Sequence, residues 1–342
     1  MKVLIVRVGA MGDVLHALPA VTALRRAQPD WEIDWVVDPR WAPLLVDAEG
    51  RGPVVGRAYL AETKLWSRSP VSIATLRSIG RLRKELRAAK YDVAVDMQGT
   101  LRSAVLGGFA KAARFVGYAD PRETLAGRLY KTRVPRQGTH VVKQSAALLA
   151  EATGVELAPA FVELPREEWA EKWAVEEIVA RPMCVLAAGG GWGAKQWPVE
   201  RFGELAKVLR GRGFDVVVNA VRNDDAIPLK VVEASDGAAR MVVCNVSGLI
   251  ALLRRTDLAI GGDTGPMHLA AMLGVPVVGL YGPTNPARNG PWGPGVCRVL
   301  RHESSVTSHK KVEEIDHGLA RVGVAEVVTA VEEMGQFSSR LD

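Results

Sequence analysis

The sequence has few cysteines, and their placement excludes two common uses of this residue. The three cysteines are Cys184, Cys244 and Cys297. An odd number with wide spacing argues against a disulfide framework and against a zinc site. Cys184 and Cys244 lie in apolar, strand-like runs and are predicted to be buried thiols. This use of cysteine fits the reducing cytoplasm, where we expect the protein to reside.

Long apolar segments are also missing. No stretch of about 18 uncharged apolar residues occurs, so a membrane-spanning helix is not expected. The apolar run near the N-terminus, Val3–Val6, is too short for a signal peptide. Peripheral contact with the cytoplasmic face of the inner membrane stays open, since the helix predicted at residues 73–90 is basic and amphipathic. That helix can equally present a solvated face.

Several motifs that identify common enzyme classes do not occur. The dinucleotide-binding motif G-x-G-x-x-G, the nucleophile elbow G-x-S-x-G and the P-loop are absent. There is neither a Cys/His cluster with metal-ligand spacing nor a suitable Asp-x-Asp loop, so we expect no bound metal and no cofactor. An NAD-dependent enzyme is therefore disfavoured.

The charge is basic but dispersed. The net charge is +6 and the isoelectric point is about 9.3. Such an excess suits an anionic substrate, a nucleic acid or an anionic membrane surface. The longest basic runs are two residues long and no nucleic-acid-binding motif is present. We therefore expect no nucleic-acid partner.

Short apolar runs alternate with amphipathic stretches, which is typical of an α/β fold. In the first half, strands are predicted at Val3–Val6, Ile33–Val37 and Val93–Val95, and helices at Val14–Ala27 and Ile73–Ala89. In the second half, strands are predicted at Met183–Ala188, Asp215–Asn219, Met241–Val243, Leu258–Ile260 and Val275–Leu280. Helices are predicted there at Glu200–Gly211, Ser247–Arg254, Pro266–Leu273 and Val324–Met334. Uninterrupted apolar strands separated by helices indicate parallel sheets covered on both faces.

This pattern predicts two domains, residues 1–165 and 166–342, joined by a linker near residues 155–180. Each is expected to be a doubly wound, Rossmann-like domain. If the two face each other across a cleft, ligands would bind at the carboxyl ends of both sheets.

The turn after the first strand is the first candidate site. It contains Gly9, Gly12 and Asp13 and opens a helix. The glycines allow close approach of a ligand to the backbone, and a helix N-terminus attracts anions. Asp13 has two interpretations: an N-cap of the helix, or a general base that takes a proton from an attacking hydroxyl.

The second candidate site follows the strand Leu258–Ile260. Glycines, a hydroxyl and free N–H groups at a helix start form an anion site. The residues concerned are Gly262, Asp263, Thr264, Gly265 and His268. Asp263 has a cap interpretation as well, and His268 can either contact a phosphate or pack between helix and sheet.

Three further segments end predicted strands. Lys195 follows the glycine loop 189–193 and can clamp a diphosphate or be solvated. Pro283 lies in the segment 281–286, which either lines a nucleotide pocket or only turns the chain. Gln98 and Arg102 begin a helix and can bind an acidic sugar, and Arg122 lies in the loop region beyond; the arginines can equally be solvated.

Taken in order, these segments resemble glycosyltransferase family 9, and most closely its heptosyltransferase I group. The matching segments are Met11-Gly12-Asp13-Val14-Leu15, Asp96-Met97-Gln98-Gly99, Lys195-Gln196-Trp197-Pro198, Gly262-Asp263-Thr264-Gly265-Pro266-Met267-His268 and Tyr281-Gly282-Pro283-Thr284. They span about residues 1–300. The resemblance implies a GT-B fold and a metal-independent enzyme that inverts the anomeric centre. It also implies transfer of heptose from ADP-heptose to Kdo of a Kdo-lipid A acceptor in the lipopolysaccharide inner core.

The resemblance further implies roles for individual residues. Asp13 is the general base, and Lys195 with the backbone at Thr264 and Gly265 stabilises the leaving diphosphate. Asp263 holds the heptose hydroxyls, while Gly262, His268 and Pro283 complete the donor site. The acceptor lies against the first domain, at Gly12, Gln98, Arg102 and Arg122.

One departure from the family pattern concerns the nucleotide. The family commonly places a glutamate for the ribose after the strand Asp215–Asn219, but the loop here reads Val221-Arg222-Asn223-Asp224-Asp225. The identity of the nucleotide therefore stays open. The alternatives are a family 9 transferase with another sugar or acceptor, and a nucleotide-sugar-binding protein without turnover.

Overall fold

A computed structural model describes residues 1–189, 191–308 and 312–335. The chain divides into two compact units, the first comprising Met1–Pro165 and the second beginning at Arg166. Each unit is built on one sheet of six parallel strands.

The sheet of the first unit has the strand order β3-β2-β1-β4-β5-β6. Its strands are β1 (Lys2–Val6), β2 (Glu32–Val37), β3 (Arg57–Leu60), β4 (Val93–Asp96), β5 (Arg114–Tyr118) and β6 (Thr132–Val134). The strand order reverses between β1 and β4, so the carboxyl ends of these two strands flank a crevice suited to ligands.

Helices cover both faces of this sheet. They are α1 (Met11–Ala27), α2 (Thr63–Arg68), α3 (Ile73–Ala88), α4 (Leu101–Phe109) and α5 (Val141–Thr153). Helices α1 and α5 pack against each other. A separate buried cluster joins Leu4 and Val6 of β1 to Trp66 of α2, Leu82 of α3 and Ala104 of α4.

The second unit repeats this plan with the strand order β12-β11-β10-β7-β8-β9. Its strands are β7 (Met183–Ala187), β8 (Asp215–Ala220), β9 (Ala239–Val243), β10 (Leu258–Gly262), β11 (Val277–Leu280) and β12 (Cys297–Leu300). Its helices are α6 (Glu168–Glu176), α7 (Val199–Gly211), α8 (Ala226–Ala234), α9 (Val246–Leu253), α10 (Gly265–Met272), α11 (Pro286–Asn289) and α12 (Val324–Glu332). The order reverses between β10 and β7.

The predicted class, two doubly wound α/β units, is confirmed, but the sequence missed β3, β5, β6 and β12. Those strands are short, and each carries an arginine, so no apolar run marks them. The predicted linker near residues 155–180 is wrong in part, because α6 lies within it. Among the described residues, no helix combines the length and apolar character needed to cross a membrane.

A buried carboxylate shapes the carboxyl end of β4. Asp96 is fully buried and accepts hydrogen bonds from the N–H groups of Gln98 (2.8 Å) and Gly99 (3.1 Å). It also accepts hydrogen bonds from the hydroxyls of Ser103 and Tyr130, both at 2.8 Å. Burial raises the pKa of Asp96 above its usual value, although these hydrogen bonds oppose the rise. The carboxylate thus fixes the loop that carries Gln98.

We predict that Asp96→Ala lowers the free energy of unfolding by about 2–4 kcal/mol, because four donors around this buried carboxylate lose their acceptor. Asp96→Asn should cost less, since the two hydroxyls can rotate and accept from the amide. Glu151→Ala, which removes an exposed carboxylate from α5, is the matched control. Thermal and urea unfolding measure all three variants. Equal stability of Asp96→Ala and the control would contradict this account of the loop.

Candidate active site

Asp13 lies in the first turn of α1, at the point where the strand order of the first sheet reverses. The N-cap of α1 is Ala10, so the N-cap interpretation of Asp13 is wrong. The carboxylate does reach back to accept the Ala10 N–H at 3.3 Å. Gly9, in the loop before α1, packs closely against Trp41, because a Cβ at Gly9 would lie 2.8 Å from Trp41 Nε1. Gly12 is a regular residue of α1 beside Asp13.

Two arginines hold the Asp13 carboxylate. Arg7 Nη2 lies 2.7 Å from Oδ1, and Arg122 donates from Nη2 to Oδ1 at 3.0 Å and from Nη1 to Oδ2 at 3.3 Å. Arg7 is buried and also donates to the Met97 carbonyl. Arg122 is 46% exposed. One guanidinium is therefore fixed inside the unit, and the other can turn towards solvent.

These ion pairs determine the charge of Asp13. Burial alone would raise its pKa, but the guanidinium groups of Arg7 and Arg122 hold the pKa below its usual range. The group is thus ionised at neutral pH and can accept a proton. Its basicity increases when one of the two cations is drawn away.

The loop after β4 meets the loop after β1 at this site. The Val8 N–H donates to Gln98 Oε1 at 2.7 Å, so the amide oxygen of Gln98 ties the two loops together. Arg102 lies in the first turn of α4, and its side chain is exposed. It takes no part in the ion pairs of Asp13. Gly12, Gln98, Arg102 and Arg122 thus lie at one edge of the first sheet, and only Arg122 bonds directly to Asp13.

Sequence reasoning missed Arg7. A signal was available, since Arg7 is a charged residue that directly follows the buried strand β1. A cation in that place needs a partner, and the nearest carboxylate in the sequence is Asp13. The contact with the Met97 carbonyl was not predictable, because 90 residues separate the two.

The second cluster lies at the reversal point of the second sheet. Asp263 follows β10, and its carboxylate binds Lys195 Nζ and contacts His268 Nε2 at 2.7 Å. All three side chains are nearly buried. Burial would raise the pKa of Asp263, but His268 and Lys195 lower it below its usual value. The cluster therefore contains a fixed negative charge beside a lysine.

Lys195 ends a 3-10 turn that follows the glycine loop after β7. Its ammonium group also lies over the ring of Trp192, 4.3 Å from the centroid. A lysine ammonium has three donors, so binding to Asp263 leaves donors for a ligand. The backbone approaches closely here, since a Cβ at Gly262 would lie 2.7 Å from the Lys195 carbonyl oxygen.

The N-terminus of α10 lies beside this cluster and has the chemical groups that an anion needs. Thr264 is the N-cap residue, and Gly265 is the first residue of the helix. The Thr264 hydroxyl does not cap the helix and, among the described residues, is buried without a hydrogen-bond partner. The hydroxyl of Thr284, which directly follows Pro283, is likewise buried without a hydrogen-bond partner within the described part of the chain. Helix N–H groups, two hydroxyls and an ammonium suit a diphosphate.

A C-terminal segment, described over residues 301–308 and 312–316, packs against these loops. Arg301 Nε donates to the Gly282 carbonyl at 3.0 Å, and the Ser308 N–H donates to the Pro283 carbonyl at 2.9 Å. The Ala194 N–H donates to the Val312 carbonyl at 3.1 Å, beside Lys195. The sequence assigned this segment no role, and these hydrogen bonds show that it supports the loops that carry Lys195 and Pro283. Over residues 1–189, 191–308 and 312–335, no group of three or more potential ligand side chains is placed to hold a metal ion.

Comparison with known proteins agrees with this geometry. The model of glycosyltransferase family 9 (heptosyltransferase) matches residues 79–317. The chain is 31% identical over 301 residues to lipopolysaccharide heptosyltransferase 1 of Pseudomonas aeruginosa, covering 86% of this chain and 82% of that protein. It is 28% identical over 315 residues to the enzyme of the same name from Escherichia coli K12, covering 88% and 94%.

Solved structures extend the likeness to the whole fold. Escherichia coli heptosyltransferase WaaC with ADP superposes with a TM-score of 0.78 at 24% identity, covering 98% of this chain and 100% of that one. A family 9 glycosyl transferase from Veillonella parvula superposes with a TM-score of 0.82 at 22% identity, covering 97% and 96%. These likenesses confirm the GT-B fold, and the family match together with the relatives' identity confirms the resemblance read from the motifs: the chain belongs to glycosyltransferase family 9, the heptosyltransferases.

Proposed function

We propose that this enzyme transfers heptose from ADP-heptose to a Kdo residue of the lipopolysaccharide inner core, with inversion at the anomeric carbon. The observation that carries the proposal is the ionised Asp13 carboxylate at the reversal point of the first sheet, paired with Arg7 and Arg122. Relatives named lipopolysaccharide heptosyltransferase 1 support the reaction class. Structures of Escherichia coli WaaC with ADP and with ADP-2-deoxy-2-fluoro heptose support the donor.

The second unit would bind the donor. The ammonium of Lys195 and the N-terminus of α10 at Thr264 and Gly265 would stabilise the negative charge that builds up on the departing diphosphate. Asp263 would accept hydrogen bonds from heptose hydroxyls while His268 and Lys195 hold it ionised. Gly262 and Pro283 would keep the backbone close to the nucleotide.

The first unit would bind and activate the acceptor. Asp13 would take the proton of the acceptor hydroxyl as its oxygen attacks the anomeric carbon of heptose. The bond from that carbon to the diphosphate oxygen breaks at the same time, and ADP leaves with the electron pair. Gly12, Gln98 and Arg102 would line the acceptor, and Arg122 would bind its carboxylate.

Arg122 gives this mechanism an order of events. An acidic acceptor would compete with Asp13 for the exposed guanidinium of Arg122, whereas buried Arg7 stays in place. Losing one cation raises the pKa of Asp13, so its basicity increases only when the acceptor is present.

The nucleotide preference has less support than the sugar transfer itself. The loop after β8 carries no glutamate; its Arg222 pairs with Asp224 at 3.0 Å and with Asp225 at 3.5 Å. A family 9 transferase that uses another nucleotide sugar is therefore the second candidate.

The cysteines fit a reducing compartment, and we place the reaction in the cytoplasm. Cys184, Cys244 and Cys297 are free. Burial raises the pKa of Cys184 well above its usual value and that of Cys244 to about 12, so both thiols are protonated and unreactive.

The direct test is ADP release from ADP-heptose in the presence of Kdo-lipid A. We expect release that requires both substrates, and a product with inverted anomeric configuration. Stabilisation of the fold by ADP without any release would support the donor site but reject this sugar or acceptor. Thermal stabilisation by UDP instead of ADP would favour the second candidate.

We expect Asp13→Asn to lower kcat by roughly a hundredfold to ten-thousandfold, the usual contribution of a general base. Binding of ADP, measured by calorimetry, should not change. Asp120→Asn is the matched control, since that carboxylate is exposed and pairs with Arg136. If Asp13→Asn kept activity within a few-fold of wild type, Asp13 would have only a structural role.

We expect Lys195→Met to lower kcat/KM for the donor by about a hundredfold to a thousandfold, because it removes the charge that stabilises the leaving group. Lys207→Met is the matched control, because Lys207 also pairs with an aspartate but is exposed on α7. The acceptor KM should stay close to wild type in both variants. Unchanged donor kinetics in Lys195→Met would remove this residue from the site.

A further inference from the structure

Several large apolar side chains of the first unit are exposed on the elements that follow β3, β4 and β5. Val71 is 86% exposed, Ile73 67% and Leu76 59%. Together with five others these residues form what we call the apolar rim: Leu65, Val71, Ile73, Leu76, Leu101, Val105, Leu125 and Leu129. Exposed apolar patches on a folded protein commonly mark a surface that binds a partner or a membrane.

The topology brings the members of the rim to one end of the first sheet. Strands β3 and β4 are parallel, so the connection through α2 and α3 must start at the carboxyl end of β3. Helix α4 likewise starts at the carboxyl end of β4, and the 3-10 turn Thr124–Arg128 follows β5. The first residues of α3 and α4 and this turn therefore lie at the same edge as Asp13.

Packing places these elements side by side. Trp66 Nε1 of α2 donates to Ser78 Oγ of α3 at 3.2 Å. Helix α3 contacts α4, and α4 contacts the turn Thr124–Arg128. Side chains from all four elements, including Ala126 of the turn, enter one buried cluster on the same face of the sheet. The apolar rim therefore borders a single continuous face at the carboxyl ends of the strands.

The charge on this face is predominantly positive. Residues 63–90 contain a single acidic residue, Glu85, which pairs with Arg57. The same stretch contains eight basic residues, all exposed: Lys64, Arg68, Arg77, Arg81, Arg83, Lys84, Arg87 and Lys90. Apolar side chains bordered by basic ones are the pattern of proteins that lie on an anionic bilayer.

We propose that the apolar rim and the basic face of α2 and α3 dock the enzyme on an anionic lipid bilayer. The apolar side chains would enter the acyl boundary, while the arginines and lysines would bind lipid phosphates. Charge complementarity favours a bilayer over a second copy of this chain, because two copies would bring two strongly basic faces together. Docking would hold the Asp13 edge close to the headgroup plane, a benefit that rests on the proposed function, since Kdo-lipid A is anchored there.

Vesicle sedimentation tests the docking without any reference to catalysis. We expect the full-length protein to bind vesicles of phosphatidylcholine mixed with phosphatidylglycerol, to bind pure phosphatidylcholine poorly, and to lose affinity as salt is added. Val71→Ser/Ile73→Ser/Leu76→Ser should weaken binding more than about tenfold, since three inserted side chains are lost. Val179→Ser/Val221→Ser is the control, because those two valines are equally exposed on the second unit.

A catalytic readout separates this proposal from the proposed function. The triple variant should transfer sugar to a deacylated, water-soluble acceptor at the wild-type rate but act several-fold more slowly on vesicle-borne Kdo-lipid A. No transfer by any form of the enzyme would reject the proposed function and leave the vesicle result standing. Wild-type vesicle binding by the triple variant would overturn the docking proposal, as would a dimer, detected by light scattering, that the triple mutation dissociates.

Discussion

The first unit depends on one buried cation. The Arg7 guanidinium bonds the Met97 carbonyl after β4 and the Asp13 carboxylate in α1, so it joins three elements at the point where the strand order reverses. A buried guanidinium is costly without partners, and these two supply them. Its charge keeps Asp13 ionised, and its rigidity fixes the carboxylate. The same contact thus serves folding and the proposed chemistry.

The second unit also holds a buried charged group with partners of opposite charge, but there the central group is an anion. There the buried group is the Asp263 carboxylate, and Lys195 and His268 approach it from the loop after β7 and from α10. In both units the charged group lies at the reversal of strand order, where parallel sheets open a crevice. Because opposite charges satisfy each other, both clusters tolerate burial and still offer polar atoms to a ligand.

The sequence predicted local features well and distant partners poorly. Apolar runs located the central strands, and glycines before a helix located the loops of Asp13 and Asp263. It could not show that Arg122 bonds Asp13, because 109 residues separate them. Helix α6 was missed because its buried residues, Ala170 and Ala174, are small and give weak periodicity. Edge strands such as β12 face solvent and carry no apolar run.

The C-terminal segment, residues 301–308 and 312–316, makes the two units complete at different times during synthesis. A Cβ at Gly193 would lie 1.7 Å from the Glu313 carbonyl oxygen, so the loop carrying Lys195 is packed directly against residues made more than a hundred positions later. The first unit has its whole sheet by residue 134 and can fold while the ribosome is still translating the second. The loops that carry Lys195 and Pro283 gain these packing partners only after residue 301 has been made. A nascent chain would therefore hold the complete Asp13 cluster well before the Lys195 loop is fully packed.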